Sequence, residues 1–513
     1  MRLKWAPLAI AASIATDALI NPVKALQAGM VACLANIRNS VNSSLVTATS
    51  PEYPIQRFGF DRNFDYQPIA IYYPASDADV AAAIQCAAAY GVSIAPRSGG
   101  HSFEGYSVGG KDGSLVIDLK QFQQFSLNSV SGVATIGAGT RLGPLYSKLW
   151  NAGQYLVASG VCPTVGIGGI ALGGGVGLAS RKYGTTTQTI VGMTLIGVDG
   201  NVRNVSASSY PDLFWALRGA GGGSFGVVTE FQIQAYKAPP TVVLMQLIFP
   251  LHKYRSVIHA YDTWGRTATD DIYPGLVLNR DNILVLVCFL GSSVPAQAAI
   301  APFISLSGEP QRFKSNELPW YQAAARVGGK YGGTLEEPDL SRYRYHRGRS
   351  LVYRKPMSFK EMDILYKYLH AVPALKGAVE TYVVFEMWGG KIDRPDSYPS
   401  AFDSHRGVMY SVQFSVSWGV PNVEHGPGCL ECMQWSTNIS REMQAAYSSG
   451  PFLEAYQNYM ERDLPNAMYA YYGNNLPRLQ KIKESVDPHN IFSFPQSIPL
   501  PESSSTRKHV VFQ

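Results

Sequence analysis

The chain has 513 residues, enough for two or three domains. Apolar residues make up 46% and charged residues 16%, the balance of an ordered globular protein, and 49 glycines with 30 tyrosines suggest many turns and a sheet-rich body. The net charge of +6 comes from 43 basic and 37 acidic residues without a long charge run, which argues against a nucleic-acid partner.

The N-terminus reads as a secretory signal within residues 1–25. Arg2 and Lys4 give a positive start, Trp5 to Ala15 is uncharged and apolar but too short to span a bilayer, and Ala15, Ala18 and Ala25 are candidate cleavage positions. No other segment is long and apolar enough to cross a membrane, so an exported, soluble monomer is expected. Sequons at Asn42, Asn204 and Asn438 agree with export.

Residues up to about 63 form a loop-rich lead-in. A helix starts near Ser76, with Asp79 three residues on as a capping box; Val80, Ala83, Ile84 and Ala87 carry it to a stop at Gly91. Val92 to Ala95 is a short strand feeding the loop Pro96-Arg97-Ser98-Gly99-Gly100-His101-Ser102. Leu115–Asp118 and Val133–Ile136 read as strands, and a helix covers roughly Leu142 to Ala152 before Gly153. A second glycine loop follows, Gly160-Val161-Cys162-Pro163-Thr164-Val165-Gly166-Ile167-Gly168-Gly169. Phe214 to Phe231 closes this region, and Ala238-Pro239-Pro240 marks a boundary. Beyond it, strand-like runs at Val242–Phe249 and Ile283–Leu290 alternate with helical stretches such as Phe359–Leu369, a pattern for a second α+β domain with an antiparallel sheet. Residues 475–490 form a short helix ended by Pro488.

The six cysteines do not reveal their connectivity by spacing. Cys429 and Cys432 form a lone CxxC, either a loop disulfide or a redox pair; no second CxxC or nearby His pair completes a zinc site, so no metal is expected. Cys288 lies in a buried strand and reads as packing.

Each glycine loop surrounds one nucleophile, an imidazole in the first and a thiol in the second. Glycine lets backbone N–H groups approach a ligand closely, and the nucleophile is able to bond to it. A Rossmann reading of Gly173-Gly174-Gly175-Val176-Gly177 with Asp199 is disfavoured, because no clean strand precedes the run. The pair of loops resembles the bicovalent flavoproteins of the berberine bridge enzyme-like family, within the vanillyl-alcohol oxidase superfamily, over about residues 64–500.

The resemblance implies an α+β fold. A PCMH-type FAD-binding domain would span 64–238 and an α/β substrate domain with an antiparallel sheet 239–458, with residues 459–500 returning to the FAD domain. It implies FAD bonded through both His101 and Cys162, which would raise the flavin's potential and hold its ring rigidly, and a Cys33–Cys86 disulfide. Arg97, Ser98, Gly99, Gly100, Ser102 and Tyr106 from the first loop would contact the cofactor, as would Val165, Gly166, Gly168, Gly169, Gly173, Gly174, Gly175 and Gly177 from the second, and Val228. The N–H groups of Ser98 to His101 would carry the pyrophosphate. Val165 falls where the family gates oxygen, and its small side chain favours an oxidase. Ile170 departs from the histidine that usually follows Gly168-Gly169, which puts the electrostatics of the reduced flavin in doubt.

On the substrate side, Tyr456-Gln457-Asn458-Tyr459 resembles the family's YxNY element, which makes Tyr459 the base; a phenolate there would need a cation or the electron-poor flavin to stabilise it. Glu386, in Phe385-Glu386-Met387-Trp388, takes the position of the family's carboxylate, as a base itself or as the group that polarises Tyr459. Gln413 is expected to face the pocket, and Phe103 and Trp388 to stack on a substrate ring. The basic and aromatic stretch Arg342–Arg349 reads as a pocket rim or solvated face. The implied activity is a secreted oxidase passing hydride from an alcohol or hemiacetal to FAD and on to O2, giving H2O2, with C1 of a mono- or oligosaccharide as first substrate. Val384, where carbohydrate-oxidising relatives often carry Gln, leaves open an aromatic, alkaloid or terpenoid substrate. A flavin-binding protein of recognition or defence, with little turnover, is the third alternative.

Overall fold

The computed structural model describes residues 22–37, 41–331, 333–340, 345–370, 378–419, 429–447 and 453–502. Residues 1–21 of the expected signal, and Arg342, Tyr343 and Arg344, lie outside them. The protein is α+β, with two smaller sheets in its N-terminal half and one large sheet beyond.

The first sheet contains β1 (Ser44–Thr47), β2 (Ala70–Tyr73), β3 (Ile94–Arg97) and β4 (Leu115–Asp118), in the order β1-β2-β4-β3. β2 and β3 run parallel to β4, so each needs a crossover; the helix Asp77–Ala89 links β2 to β3. Ser76 caps that helix by accepting from the Asp79 N–H at 3.2 Å, and the Asp79 carboxylate accepts from the Ala75 N–H. Cys86 on this helix is disulfide-bonded to Cys33 on the helix Pro22–Ala35. β3 starts and ends two residues later than the sequence suggests, because its pairing with β4 runs from Ile94–Leu115 to Arg97–Asp118. The strand therefore ends directly at Ser98, and the first glycine loop leaves the sheet edge without slack.

The second sheet contains β5 (Phe125–Leu127), β6 (Val133–Gly137), β8 (Ile190–Ile196), β9 (Val202–Val205) and β10 (Val227–Gln234), antiparallel in the order β5-β6-β10-β8-β9. Two short strands, β7 (Tyr155–Leu156) and β11 (Tyr236–Lys237), form a separate ribbon.

The third sheet has seven antiparallel strands in the order β15-β12-β14-β13-β17-β18-β16. They are β12 (Val242–Pro250), β13 (Ile272–Asn279), β14 (Asn282–Phe289), β15 (Arg312–Leu318), β16 (Tyr345–Tyr353), β17 (Ala378–Met387) and β18 (Tyr410–Trp418). Its two faces differ because strand side chains alternate. Val383, Phe385 and Met387 of β17, with Val412, Phe414 and Val416 of β18, join a core with the helices Tyr254–Gly265, Ser293–Ser307, Phe359–His370 and Leu430–Ala446. The opposite face carries Val384, Glu386 and Gln413 into a cavity. Cys288 is fully buried in β14, and Cys429 is bonded to Cys432 at the start of the helix Leu430–Ala446.

The C-terminal helix Leu476–Val486 brings the chain back to the N-terminal half. Lys483 Nζ is buried and donates to the carbonyls of Ser224 and Phe492 and to the Asp487 carboxylate, at 2.6–2.7 Å. Removing one partner of such a buried pair costs about 3–5 kcal/mol, because the other is left uncompensated. Among the described residues no helix is long and apolar enough to cross a membrane.

Candidate active site

A cavity of about 950 Å³ lies between the glycine loops and the open face of the seven-stranded sheet. On the loop side it is lined by Ser98, Gly99, Gly100, His101, Ser102 and Tyr106, by Cys162, Val165, Gly166, Gly168 and Gly169, and by Val228. The loops touch backbone to backbone: a Cβ on Gly99 would lie 2.8 Å from the Gly166 Cα, and one on Gly166 would lie 2.7 Å from the Gly99 Cα. A Cβ on Gly169 would meet nothing within 4 Å. There glycine keeps a wall thin for a ligand, and at the loop contact it lets two backbones pack.

His101 Nε2 and Cys162 Sγ are 4.0 Å apart, and Thr164 Oγ1 bonds to both, at 2.9 and 3.1 Å. Burial, then the charge of Arg141 and the His346 ring, push His101 down to about 3, so the imidazole is neutral at neutral pH. Phe60 stacks on it with centroids 4.0 Å apart, which fixes the ring plane. The Arg141 guanidinium donates to the carbonyls of Gly99 and Thr164 and so ties one loop to the other. Two adjacent nucleophiles, thin glycine walls and a long cavity fit a dinucleotide with a reactive ring, as FAD is. His101 and Cys162 would hold the ring and the first glycine loop the phosphates.

Across the cavity, Tyr459 Oη donates to Glu386 Oε2 at 3.0 Å, and Ser411 Oγ donates to the same oxygen at 3.1 Å. Burial pushes Glu386 up to about 7, with the two hydrogen bonds acting against it. Burial and then the Glu386 charge raise Tyr459 well above the usual tyrosine range. The partner of Tyr459 is thus the Glu386 carboxyl group, whereas the sequence reading asked for a cation or the flavin to stabilise a phenolate. Phe103 lies nearly parallel to Tyr459, centroids 5.8 Å apart. Gln413 lines the cavity and sits opposite Val384 in the β17–β18 register.

Six residues read as site residues do not line the cavity. Arg97 is buried in an ion pair with Asp118 and donates to the Gln56 carbonyl at 2.7 Å; the end of the β3–β4 ladder holds it away. Gly173, Gly174, Gly175 and Gly177 are glycines for packing. A Cβ on Gly173 would lie 2.8 Å from the Asn458 Cγ, one on Gly174 2.6 Å from the Tyr456 hydroxyl, one on Gly175 2.7 Å from the Thr186 Cβ, and one on Gly177 2.9 Å from the Ser159 carbonyl carbon. Trp388 is 1% exposed, packed against Phe402, His405 and Tyr456, so it stacks on protein and not on substrate.

The glycine run still bears on the site through the YxNY element. Tyr456 Oη accepts from the Gly175 N–H at 2.7 Å, Gln457 donates to the carbonyls of Gly173 and Gly219, and Asn458 donates to the Ile170 carbonyl at 3.1 Å. Tyr459 is therefore placed by its neighbours' bonds to that run. Arg347 and Arg349 also depart from a solvated face. Arg347 pairs with Glu104, three residues after His101, and with Asp463, while Arg349 pairs with buried Glu461. Sequence reasoning missed Phe60, Arg141 and Thr164, and reached His346 only within the stretch read as a pocket rim or solvated face; all four are on the cavity wall. Only Thr164 had a local signal, its place two residues after the cysteine.

A glycine-walled cavity with His101 and Cys162 on one side and a tyrosine–carboxylate pair on the other, on this α+β scaffold, defines an FAD-dependent oxidase. The sequence comparisons agree. Residues 68–206 match a family model described as FAD binding domain, and residues 455–499 one described as berberine and berberine like. A chitooligosaccharide oxidase from Gibberella zeae is 28% identical over 479 residues, covering 90% of this chain and 94% of its own. The solved structure of Physcomitrella patens BBE-like 1 superposes with a TM-score of 0.83 at 30% identity, over 92% of this chain and 99% of that one. A glucooligosaccharide oxidase from Acremonium strictum, described with a 6-S-cysteinyl, 8α-N1-histidyl FAD, gives 0.81 at 26% identity, over 92% and 99%. The chain belongs to the berberine bridge enzyme-like family.

Proposed function

We propose that the protein is a secreted oxidase that removes hydride from an alcohol or hemiacetal carbon, with C1 of a mono- or oligosaccharide as first substrate, and gives H2O2 from O2. The observation that carries this reading is the Tyr459–Glu386 pair, 3.0 Å apart on the cavity wall opposite His101 and Cys162. The oligosaccharide oxidases among the relatives support the sugar, and the doubly linked FAD of one of them supports FAD held through both His101 and Cys162. Bound there, FAD would supply the hydride acceptor, with O2 as the terminal oxidant. Val165 on the cavity wall leaves room for O2.

Hydride leaves a carbinol carbon only as its hydroxyl loses a proton. Tyr459 takes that proton. It does not wait as phenolate, since burial and Glu386 both oppose that charge. Its own proton already points at Glu386 Oε2, so accepting the substrate proton and passing its own to the carboxylate are one concerted shift. Glu386, with a pKa of about 7, is matched to a base working near neutral pH. Phe103 supplies a flat apolar face beside Tyr459, and Gln413 supplies an amide next to Val384.

Val384, Leu284 and Leu286 on the same wall favour, as a second reading, an aromatic or terpenoid alcohol. Ile170 keeps a third, a flavin-binding recognition or defence protein with little turnover. One experiment separates them: mix the air-free holoprotein with cello-, xylo- and chito-oligosaccharides and with aromatic alcohols, follow the flavin absorbance, then admit air and assay H2O2. Bleaching by an oligosaccharide followed by H2O2 supports the first reading. Bleaching by aromatic alcohols alone supports the second, and no bleaching by any supports the third.

A further inference from the structure

His101 and Cys162 communicate through a third side chain. Thr164 Oγ1 is 2.9 Å from His101 Nε2 and 3.1 Å from Cys162 Sγ. The residue is 9% exposed, and its carbonyl is held by Arg141, which also binds the Gly99 carbonyl at 2.9 Å. A hydroxyl has one proton to give, so serving both neighbours restricts the arrangement. Neutral His101 carries its proton on one ring nitrogen. With the proton on Nδ1, the Thr164 proton is committed to Nε2; Nδ1 then has no free lone pair, and the sulfur receives no hydrogen bond from Thr164. With the proton on Nε2, Nε2–H donates to Thr164 Oγ1, the hydroxyl donates to Cys162 Sγ, and Nδ1 keeps its lone pair. Only this second arrangement prepares both nucleophiles.

We propose that Thr164 is the positioning residue for covalent cofactor attachment: its hydroxyl accepts from His101 Nε2–H and donates to Cys162 Sγ, which makes Nδ1 and the sulfur the two attacking atoms. The inference rests on the bicovalent reading above and deepens it. Each link forms one N–C or S–C bond and removes one hydrogen from the flavin carbon and one proton from the protein group, from Nε2 of His101 or Sγ of Cys162. The two protons and two electrons released go to O2 as H2O2. The groups facing the sulfur are Arg141, His101 and Tyr146, and those facing the imidazole are Arg141 and His346. Burial pushes the Cys162 thiol up; the Thr164 hydroxyl, the backbone N–H groups of Thr164 and Val165, and the Arg141 charge pull it back.

The test compares the full-length wild type with Thr164→Val, which keeps the branched shape and loses the hydroxyl, and Thr164→Ser, which keeps the hydroxyl. Each protein is incubated with FAD in air at about pH 7 and about pH 9, either side of an ordinary thiol's pKa. It is then precipitated with acid, and flavin mass is read on the tryptic peptides containing His101 and Cys162. Wild type and Thr164→Ser are expected to carry both links at either pH. Thr164→Val is expected to lose about tenfold in the rate of Cys162 linkage at both pH values, the effect of one pKa unit on a thiol that burial already holds above its ordinary range, while both proteins link faster at the higher pH. Wild-type linkage in Thr164→Val overturns the proposal, as does an equal loss in both variants. Flavin released freely from the wild type removes the bicovalent reading itself, a separable result.

Discussion

The glycine-rich segments of this chain are of two kinds, which do different things. Gly99 and Gly166 of the loops at 96–102 and 160–169 face each other and the cavity; in the run at 173–177, Gly173, Gly174 and Gly175 face the side chains of Asn458, Tyr456 and Thr186, and Gly177 faces the Ser159 backbone. Both read alike in the sequence because glycine is selected wherever a Cβ has no room. What a Cβ would meet separates the key positions: facing backbone at Gly99 and Gly166, and the element carrying Tyr459 at Gly173 and Gly174. On the proposed mechanism, one stretch would hold the cofactor and the other would set the group that deprotonates substrate.

Substitutions that add a single Cβ break this comparison most directly. Gly99→Ala is expected to abolish covalent flavin and with it all turnover, because the new carbon meets the Gly166 backbone, which has nowhere to go; peptide-bound flavin fluorescence checks it. Tyr459→Phe should keep the flavin yet slow its air-free reduction by about 10²–10⁴-fold, the usual worth of a positioned base. Gly173→Ala should have a smaller effect than either. Overpacking against Asn458 costs about 1–3 kcal/mol, so reduction slows by about 10- to 100-fold with the flavin still attached. Loss of flavin in Gly173→Ala would show that both stretches serve the cradle.

A smaller effect is read from pH. Since Glu386 loses its proton at about 7, the rate of flavin reduction should fall as pH drops through that value, and Glu386→Gln should be slow and lack this limb. Stability has the opposite sign. Between an unfolded carboxyl near 4.3 and about 7, the folded state binds more protons than the unfolded, so stability falls as pH rises across that window. Glu386→Gln is therefore expected to raise Tm at about pH 8 and to matter less near pH 5, as a thermal melt at each pH would show. The smallest contrast is between two aromatics. Phe103→Leu should raise KM several-fold through loss of a stacking face in the cavity, whereas Trp388→Phe should leave KM unchanged and lower Tm, because Trp388 touches only protein.

Much of this molecule was legible along the chain. Local signals identified the capped helix after Ser76, the strand Leu115–Asp118, the apolar runs of the large sheet, and the motifs containing His101, Cys162, Glu386 and Tyr459. Capping, alternation and short motifs act between residues near in sequence, so the sequence itself displays them. Tertiary structure alone decided the rest. Arg97, beside the first glycine loop, is claimed by Asp118 on the adjacent strand; Trp388, two residues after Glu386 and on the same side of the sheet, is covered by Phe402, His405 and Tyr456. Phe60, Arg141 and His346 reach the cavity from three distant segments that no spacing connects. The nucleophiles and the base were determined locally, by what chemistry requires of a residue type. Their neighbours were determined by chain crossings, because burial and hydrogen bonding are properties of space and not of sequence order.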